Sequence, residues 1–357
     1  MDKNTQLYYQ SAVDLKYHPL LLRDISSFII KLGRKKLFFR GAETPFNRGS
    51  SIEIASNKYC MNKILDWAGF PVPRSTTFSR EWFERKNLET LIKDVNFPVV
   101  IKPTQGTANG EDVLCNISHI NELQQCLAEK FQKHRYLSIE EFHPHLNQYR
   151  VLVFYNRVIG VVQRFPASVV GDGVHSIQAL IDRQNAAREK IKETYLLGPI
   201  QVDEECHIRL KELNITLDTV LKKNEKVVLC YTSNDARGGT AESLGDKIHK
   251  ENAQLLCRAA NALGLNLVGF DVLCEDILIP IEKSRGVILE ANYNPDIALH
   301  EEPMFGIPQR VSKIMMRRFR WMHPLAYLVG IYQNWNRAFY FRVFLFFLML
   351  VACKLYL

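Results

Sequence analysis

Short apolar runs bounded by Gly, Pro or Asn predict strands at residues 97–102, 136–141 and 227–231. Residues 150–155 and 158–163 read as a hairpin turning at Asn156-Arg157. Apolar positions recurring every three or four residues predict helices over 54–67, 121–133 and most of 174–192, and in two pieces over 203–222. Gly69, Pro71 and Pro73 close the first of these, and Gly264 closes a further amphipathic helix over 247–263. The first fifty residues read as a short leader with a helix over 20–32 and a strand over 36–40. Two apolar strands, 265–271 and 287–292, follow the last amphipathic helix. Strand pairs and helices mix without strict alternation, so the predicted class is α+β. No internal repeat or low-complexity segment interrupts the pattern.

The chain has 357 residues, 47% apolar and 24% charged, enough for two or three lobes with real cores. Its eight cysteines form no C-x-x-C pair and no zinc-like spacing, which predicts reduced thiols in a cytoplasmic protein. The N-terminus has no apolar segment of signal-peptide type. The net charge of +8 is carried by Arg310, Lys313, Arg317, Arg318, Arg320, Arg337, Arg342 and Lys354, because residues 303–357 contain no acid. A formally neutral body with a basic tail lacks the basic face of a nucleic-acid binder, so no nucleic-acid partner is expected. Residues 343–353 of the tail are uninterrupted apolar, and 338–357 reaches spanning length only by including Arg342 and Lys354. Two readings stand: a membrane surface contacted through 338–357, with the basic flank on the cytoplasmic face, or a helix buried in a homo-oligomer interface.

The candidate chemistry lies in the last two strands. Glu290 and Asn292 are two apart and point to one face; Asp271 ends the neighbouring run. Two carboxylates and an amide oxygen are hard ligands suited to Mg²⁺ held against phosphates. Upstream, the apolar strand residues 99–101 lead into Lys102, followed by Gly106 and Gly110, where the backbone can close over phosphates or make an ordinary turn. Together these features predict an enzyme that spends ATP.

The order of short motifs carries a resemblance. Asn57-Lys58, Gly69-Phe70-Pro71-Val72-Pro73, Val100-Ile101-Lys102-Pro103, Glu140-Glu141-Phe142, Val170-Gly171-Asp172-Gly173, Gly238-Gly239-Thr240, Gly269-Phe270-Asp271 and Glu290-Ala291-Asn292 follow one another along the chain. This resembles the ATP-grasp superfamily, most of all the ATP-grasp module of cyanophycin synthetase and the bifunctional glutathione synthetases, over roughly 54–302. The resemblance implies two α+β lobes, about 54–138 and 139–302, with ATP between them and a hinge near 140–143. Residues 1–53 form a leader and 303–357 a tail. It implies that Lys58, Lys102, Gly106, Gly110, Arg150, Gly238 and Gly239 hold ATP, and that Glu140, Glu141 and Phe142 meet its adenine. It also implies that Asp271, Glu290 and Asn292 hold Mg²⁺, or Mn²⁺ in its place. Arg164 and Arg237 are the catalytic cations, since a guanidinium fork matches a carboxylate or a transferring phosphoryl group; surface salt bridging is the alternative. Two departures stand out: Glu111-Asp112 replaces a third loop glycine, and Asn147-Gln148 takes the place of an acid for ribose hydroxyls.

The implied activity is ATP-dependent ligation of a carboxylate to an amine through an acyl phosphate, on an amino acid or small peptide. Residues 294–300 either line the acceptor site or pack as a structural loop. A non-catalytic nucleotide-binding module tethered by its tail is the competing reading.

Overall fold

The structure, a computed structural model, describes residues 1–104, 112–195, 197–333 and 335–356. It divides into two compact units. The first comprises Met1–Pro45, Asp296–Ala298 and Arg310–Leu357. Its sheet is antiparallel, in the order β1 (Leu20–Leu22), β2 (Ser27–Leu32), β3 (Lys35–Arg40). The helix expected over 20–32 does not form. Ser26 turns the chain in the left-handed region (φ 49), and β2 buries Ser27, Phe28, Ile30 and Leu32 while exposing Lys31. That alternation, with branched Ile29 and Ile30, suits a pleated sheet better than a helix. Phe28 stacks on Phe39 at 4.7 Å, Phe319 meets Phe39 edge-on at 6.1 Å, and Ser11 and Ser312 share a 2.7 Å hydrogen bond. The unit ends in helices Val311–Met322, Pro324–Gln333 and Trp335–Tyr356. In the last of these, apolar side chains stay exposed, from Phe339 at 66% to Leu355 at 80%. Among the described residues, no helix is long and apolar enough to cross a membrane.

The second unit, Phe46–Pro295 with Leu299–Gln309, carries the predicted motifs. The helix expected over 54–67 is two helices, Gly49–Ser56 and Lys58–Trp67. The break is at Asn57, whose backbone is extended and whose side chain caps the second helix by accepting from the Cys60 N–H. A four-stranded antiparallel sheet comes next: β4 (Ser75–Ser79), β5 (Val99–Pro103), β6 (Leu114–Ile117) and β7 (Tyr136–Glu141), ordered β4-β7-β5-β6. The helix Ile120–Lys133 covers it through Leu123, Leu127 and Phe131.

The hairpin is present as β8 (Asn147–Phe154) and β9 (Arg157–Phe165), one residue off the expected turn. Tyr155 and Asn156 are the turn residues, both at positive φ (42 and 63), as a tight two-residue hairpin requires. A small inserted lobe follows: β10 (Ser168–Val170) pairs with β11 (Lys226–Val228), and helices Ile177–Tyr195 and Glu204–Glu212 pack on them. The second helical piece expected up to 222 is absent. Asn214 turns left-handed (φ 54) just past the first piece, and the chain runs on in turns. The strand expected to reach 231 stops at Val228, because the N–H groups of Tyr231 and Thr232 donate to the Glu205 carboxylate instead of a ladder.

With β12 (Thr240–Gly245), β13 (Leu267–Cys274), β14 (Val287–Asn292) and β15 (Phe305–Ile307), the hairpin completes a six-stranded sheet. Its order is β14-β13-β8-β9-β12-β15, antiparallel except for the last pair. One face carries Tyr149, Val151, Val153, Val268, Phe270, Val272 and Ile288 against Leu255, Leu256 and Ala259 of the helix Lys250–Ala262. Since side chains alternate between faces, Arg150, Asp271 and Glu290 fall on the other face. The apolar face therefore fixes the register of the chemical one, because a slip of one residue would exchange the two.

Candidate active site

A charged row crosses three strands of the second face. Glu290 pairs with Asp271, and Asp271 with Arg150. Arg150 grips Asp271 with two bonds, Nε to Oδ1 at 2.5 Å and Nη2 to Oδ2 at 3.0 Å. Gly269 makes room for this fork: a Cβ there would stand 2.9 Å from Arg150 Cδ. Burial opposes ionisation of Asp271, but Arg150, with help from Arg164 and Lys58, outweighs it and holds the carboxyl below its usual range. Asn292 sits opposite Gly269, and its amide nitrogen donates to the Gly269 carbonyl at 3.3 Å, which leaves the amide oxygen for a cation. Lys58 Nζ lies 3.6 Å from Glu290 Oε1, so a positive charge already suits this spot.

Among the described residues, no three His, Cys, Asp or Glu side chains gather as a metal site. The predicted set has two such residues and an asparagine. Its register puts Glu290 and Asn292 on the same face as Asp271, and this donor set of carboxylate and amide oxygens fits Mg²⁺. The fit is unequal, however. Glu290 is about a third exposed, whereas both oxygens of Asp271 are engaged by Arg150.

The other predicted residues divide by what already holds them. Lys102 Nζ is 2.5 Å from Glu140 Oε2, so the two expected ATP contacts meet each other across β5 and β7. Glu141 is turned away, accepting from the Asn96 side chain at 2.6 Å. The Phe142 N–H donates to Pro98 at 2.8 Å, leaving its ring to meet Tyr231 edge-on at 5.0 Å. Arg164 is more loosely held: its guanidinium lies 3.7 Å from Asp235 and 4.0 Å from Asp271, and its buried Nε has no hydrogen-bond partner among the described residues. Arg237 pairs with Asp203 and, at 3.3 Å, with Glu205. Gly106 and Gly110 lie outside the described residues.

Three contributors escaped the sequence reading. Arg188, almost fully buried, donates to the carbonyls of Gly198 (3.0 Å), Gly238 and Gly239 (2.9 Å), and so fixes the turn that follows Arg237. Its signal was a charge on the apolar stripe of its helix, seven residues after Ile181. His300 is fully buried against Gly160, and neither ring nitrogen has a hydrogen-bond partner among the described residues. Glu212 reaches Tyr231 and Asn116, contacts no local pattern could show. A cavity of about 540 Å³ adjoins Glu212, lined also by Phe142, residues 144–148, Arg164, Arg209 and Tyr231 among others.

Comparison with known proteins bears on what this arrangement is. No protein-family model matches the chain. It is 36% identical over 265 residues to cyanophycin synthetase of Synechocystis sp., spanning 73% of this chain and 30% of that protein. It is 27% identical over 332 residues to the bifunctional glutathione biosynthesis protein of Pasteurella multocida, spanning 89% of this chain and 42% of that one. The chain thus spans under half the length of these relatives. Its structure matches the crystal structure of the bifunctional glutathione synthetase from Pasteurella multocida with a TM-score of 0.62 and 25% identity, covering 89% of this chain and 44% of that one. The chain therefore has the ATP-grasp fold and resembles the cyanophycin synthetases and bifunctional glutathione synthetases in sequence.

Proposed function

We propose that this chain is an ATP-dependent carboxylate–amine ligase acting on an amino acid or small peptide. The observation that carries this reading is the single sheet face that presents Glu290, Asp271, Arg150 and Arg164, with Lys58 at its edge. Acidic oxygens for a cation and guanidiniums for anions stand within one side chain of each other. That is what moving a phosphoryl group onto a carboxylate requires.

In this reading Glu290 and Asn292 hold Mg²⁺, or Mn²⁺, with Asp271 adding charge from behind. Bound there, the ion would neutralise the oxygens of the terminal phosphates. Lys58 and Lys102 approach the phosphates as point charges, and Arg164 offers its uncommitted Nε to the transferring group or the acceptor carboxylate. The γ-phosphoryl bond to ADP breaks as the acceptor carboxylate oxygen bonds phosphorus. The amine then attacks the acyl carbon and loses a proton, and phosphate leaves with its oxygen. No protein nucleophile is needed. Arg150 acts by orienting Asp271, and Arg188 by fixing the Gly238-Gly239 turn beside Arg237. A purely nucleotide-binding role is disfavoured because the relatives that the chain matches at 36% and 27% identity are named as a synthetase and a biosynthetic enzyme.

The test is ADP release by the purified chain against pairs of amino acids and short peptides, with mass spectrometry of the products. Release should require both a carboxylate and an amine, and Asn292→Ala should abolish it. Release that ignores the amine, or survives Asn292→Ala undiminished, would overturn the proposal.

A further inference from the structure

The cavity of about 540 Å³ beside the hinge has the size and lining of a nucleoside site. Phe142, Pro144, Leu146, Phe165 and Val228 give it apolar walls for a base. At the hinge end its polar side chains are His145, Asn147 and Gln148, none of them a carboxylate, and Asn147 is committed there, its Nδ2 donating to the Glu275 carbonyl at 2.7 Å. The carboxylate comes instead from the inserted lobe. Glu212, at the end of the helix Glu204–Glu212, lines the same cavity with its side chain 26% exposed.

Its bonding leaves room for a ligand. Oε2 accepts from Tyr231 Oη at 2.6 Å and Arg209 Nη1 at 2.8 Å, while Oε1 accepts from Asn116 Nδ2 at 2.8 Å. A carboxylate has about four acceptor positions, so one remains, on Oε1. Tyr231, Arg209 and Asn116 fix the group from three directions, so little side-chain entropy is left to lose on binding. Burial alone would raise the Glu212 pKa, yet hydrogen bonds from Tyr231, Asn116 and Arg209 hold it below the ordinary value, so the group stays an acceptor at neutral pH.

We infer that Glu212 binds a ribose hydroxyl of the nucleotide, as a specificity-determining residue supplied by the inserted lobe. This rests on the ligase reading, in which the nucleotide is ATP. A hydroxyl donates to the remaining position of Oε1, and Asn116 ties the contact back to β6. Binding the sugar thus joins the inserted lobe to the four-stranded sheet through the ligand as well as through Asn116.

The experiment is isothermal titration of the full chain, with Mg²⁺, against ATP, 2′-deoxy-ATP and 3′-deoxy-ATP. The native chain should prefer ATP over one deoxy analogue by about tenfold, the scale of a hydrogen bond to a charged group. Glu212→Gln should shrink that ratio severalfold while leaving the affinity for the same deoxy analogue within about twofold, since that ligand never used the contact. Glu212→Asp, which keeps the charge but withdraws it, should shrink the ratio likewise and serves if the glutamine variant fails to fold. An unchanged ratio, or equal weakening of all three nucleotides, would overturn the inference and mark Glu212 as structural. Absence of ATP binding by the native chain would instead strike the ligase reading itself.

Discussion

His300 makes the acid stability of this protein calculable. Its imidazole is fully buried, and a Cβ added at Gly160 would fall 2.5 Å from Nδ1, so the ring lies directly on the backbone of β9. Burial, and then the positive charge of Arg150, push its pKa down to about 3. In the unfolded chain the value returns to about 6.5. Below that pH the unfolded chain takes up a proton that the folded one refuses, so acid favours unfolding and stability rises with pH. The penalty is nearly absent at pH 7 and grows by about 1.4 kcal/mol per pH unit below 6.5, which gives about 2 kcal/mol at pH 5. The perturbation is His300→Gln, which cannot titrate. Urea unfolding at pH 7, 6 and 5, followed by circular dichroism, measures both proteins. All other groups titrate alike in the two, so the difference isolates His300, whatever the offset at pH 7. The native chain should lose about 2 kcal/mol more than the variant between pH 7 and pH 5. Parallel losses, within about 0.5 kcal/mol, would show that the imidazole is solvated or paired, and the reasoning would fail.

Two further outcomes follow from the same charges. Arg150→Met leaves Asp271 buried without its fork, and should cost about 3–5 kcal/mol in urea unfolding at pH 7; a cost under about 1 kcal/mol would mean that Asp271 had found another partner or water. For the tail, the exposed apolar helix and the acid-free cationic stretch before it favour surface attachment to an anionic bilayer. The full chain should sediment with phosphatidylserine vesicles and a chain lacking 338–357 should not, whereas a tail-dependent dimer in light scattering without vesicle binding would assign the helix to self-association.

The sequence exposed the charged sheet face better than it exposed the elements around it. Glu290 and Asn292 were legible because a period of two is local, and apolar neighbours on both sides force the alternation. Asp271 was legible as a position on that face, but its fork from Arg150 was not, because that depends on register between strands whose paired residues are 121 apart in the chain. The residues 20–32 misled because Leu-rich stretches satisfy both periods, and the deciding feature was one left-handed serine. Arg188, Glu212 and His300 escaped for a common reason. Each takes its meaning from a segment far along the chain, and only the folded inserted lobe or the return of residues 299–309 to the sheet brings that segment near.

The four cations expected from the sequence, Arg164 and Arg237 as catalytic and Lys58 and Arg150 as ATP contacts, differ in how strongly each is paired. Arg150 is buried and bidentate on one acid; releasing it would strand a charge in the sheet, so it orients and does not reach. Arg237, shared between Asp203 and Glu205, belongs to the inserted lobe and takes its place from the turn that Arg188 holds. Lys58 is different: its 3.6 Å contact with Glu290 is loose, its stem is flexible and its side chain is about a quarter exposed, so a phosphate could draw it away at little cost. Arg164 has the weakest ties of the four and, among the described residues, a buried N–H without a partner, a cost that a ligand oxygen would relieve. Within the proposed ligase reading, Lys58 and Arg164 are the cations free to move onto a ligand, while Arg150 and Arg237, expected from the sequence as an ATP contact and a catalytic cation, are held in buried ion pairs.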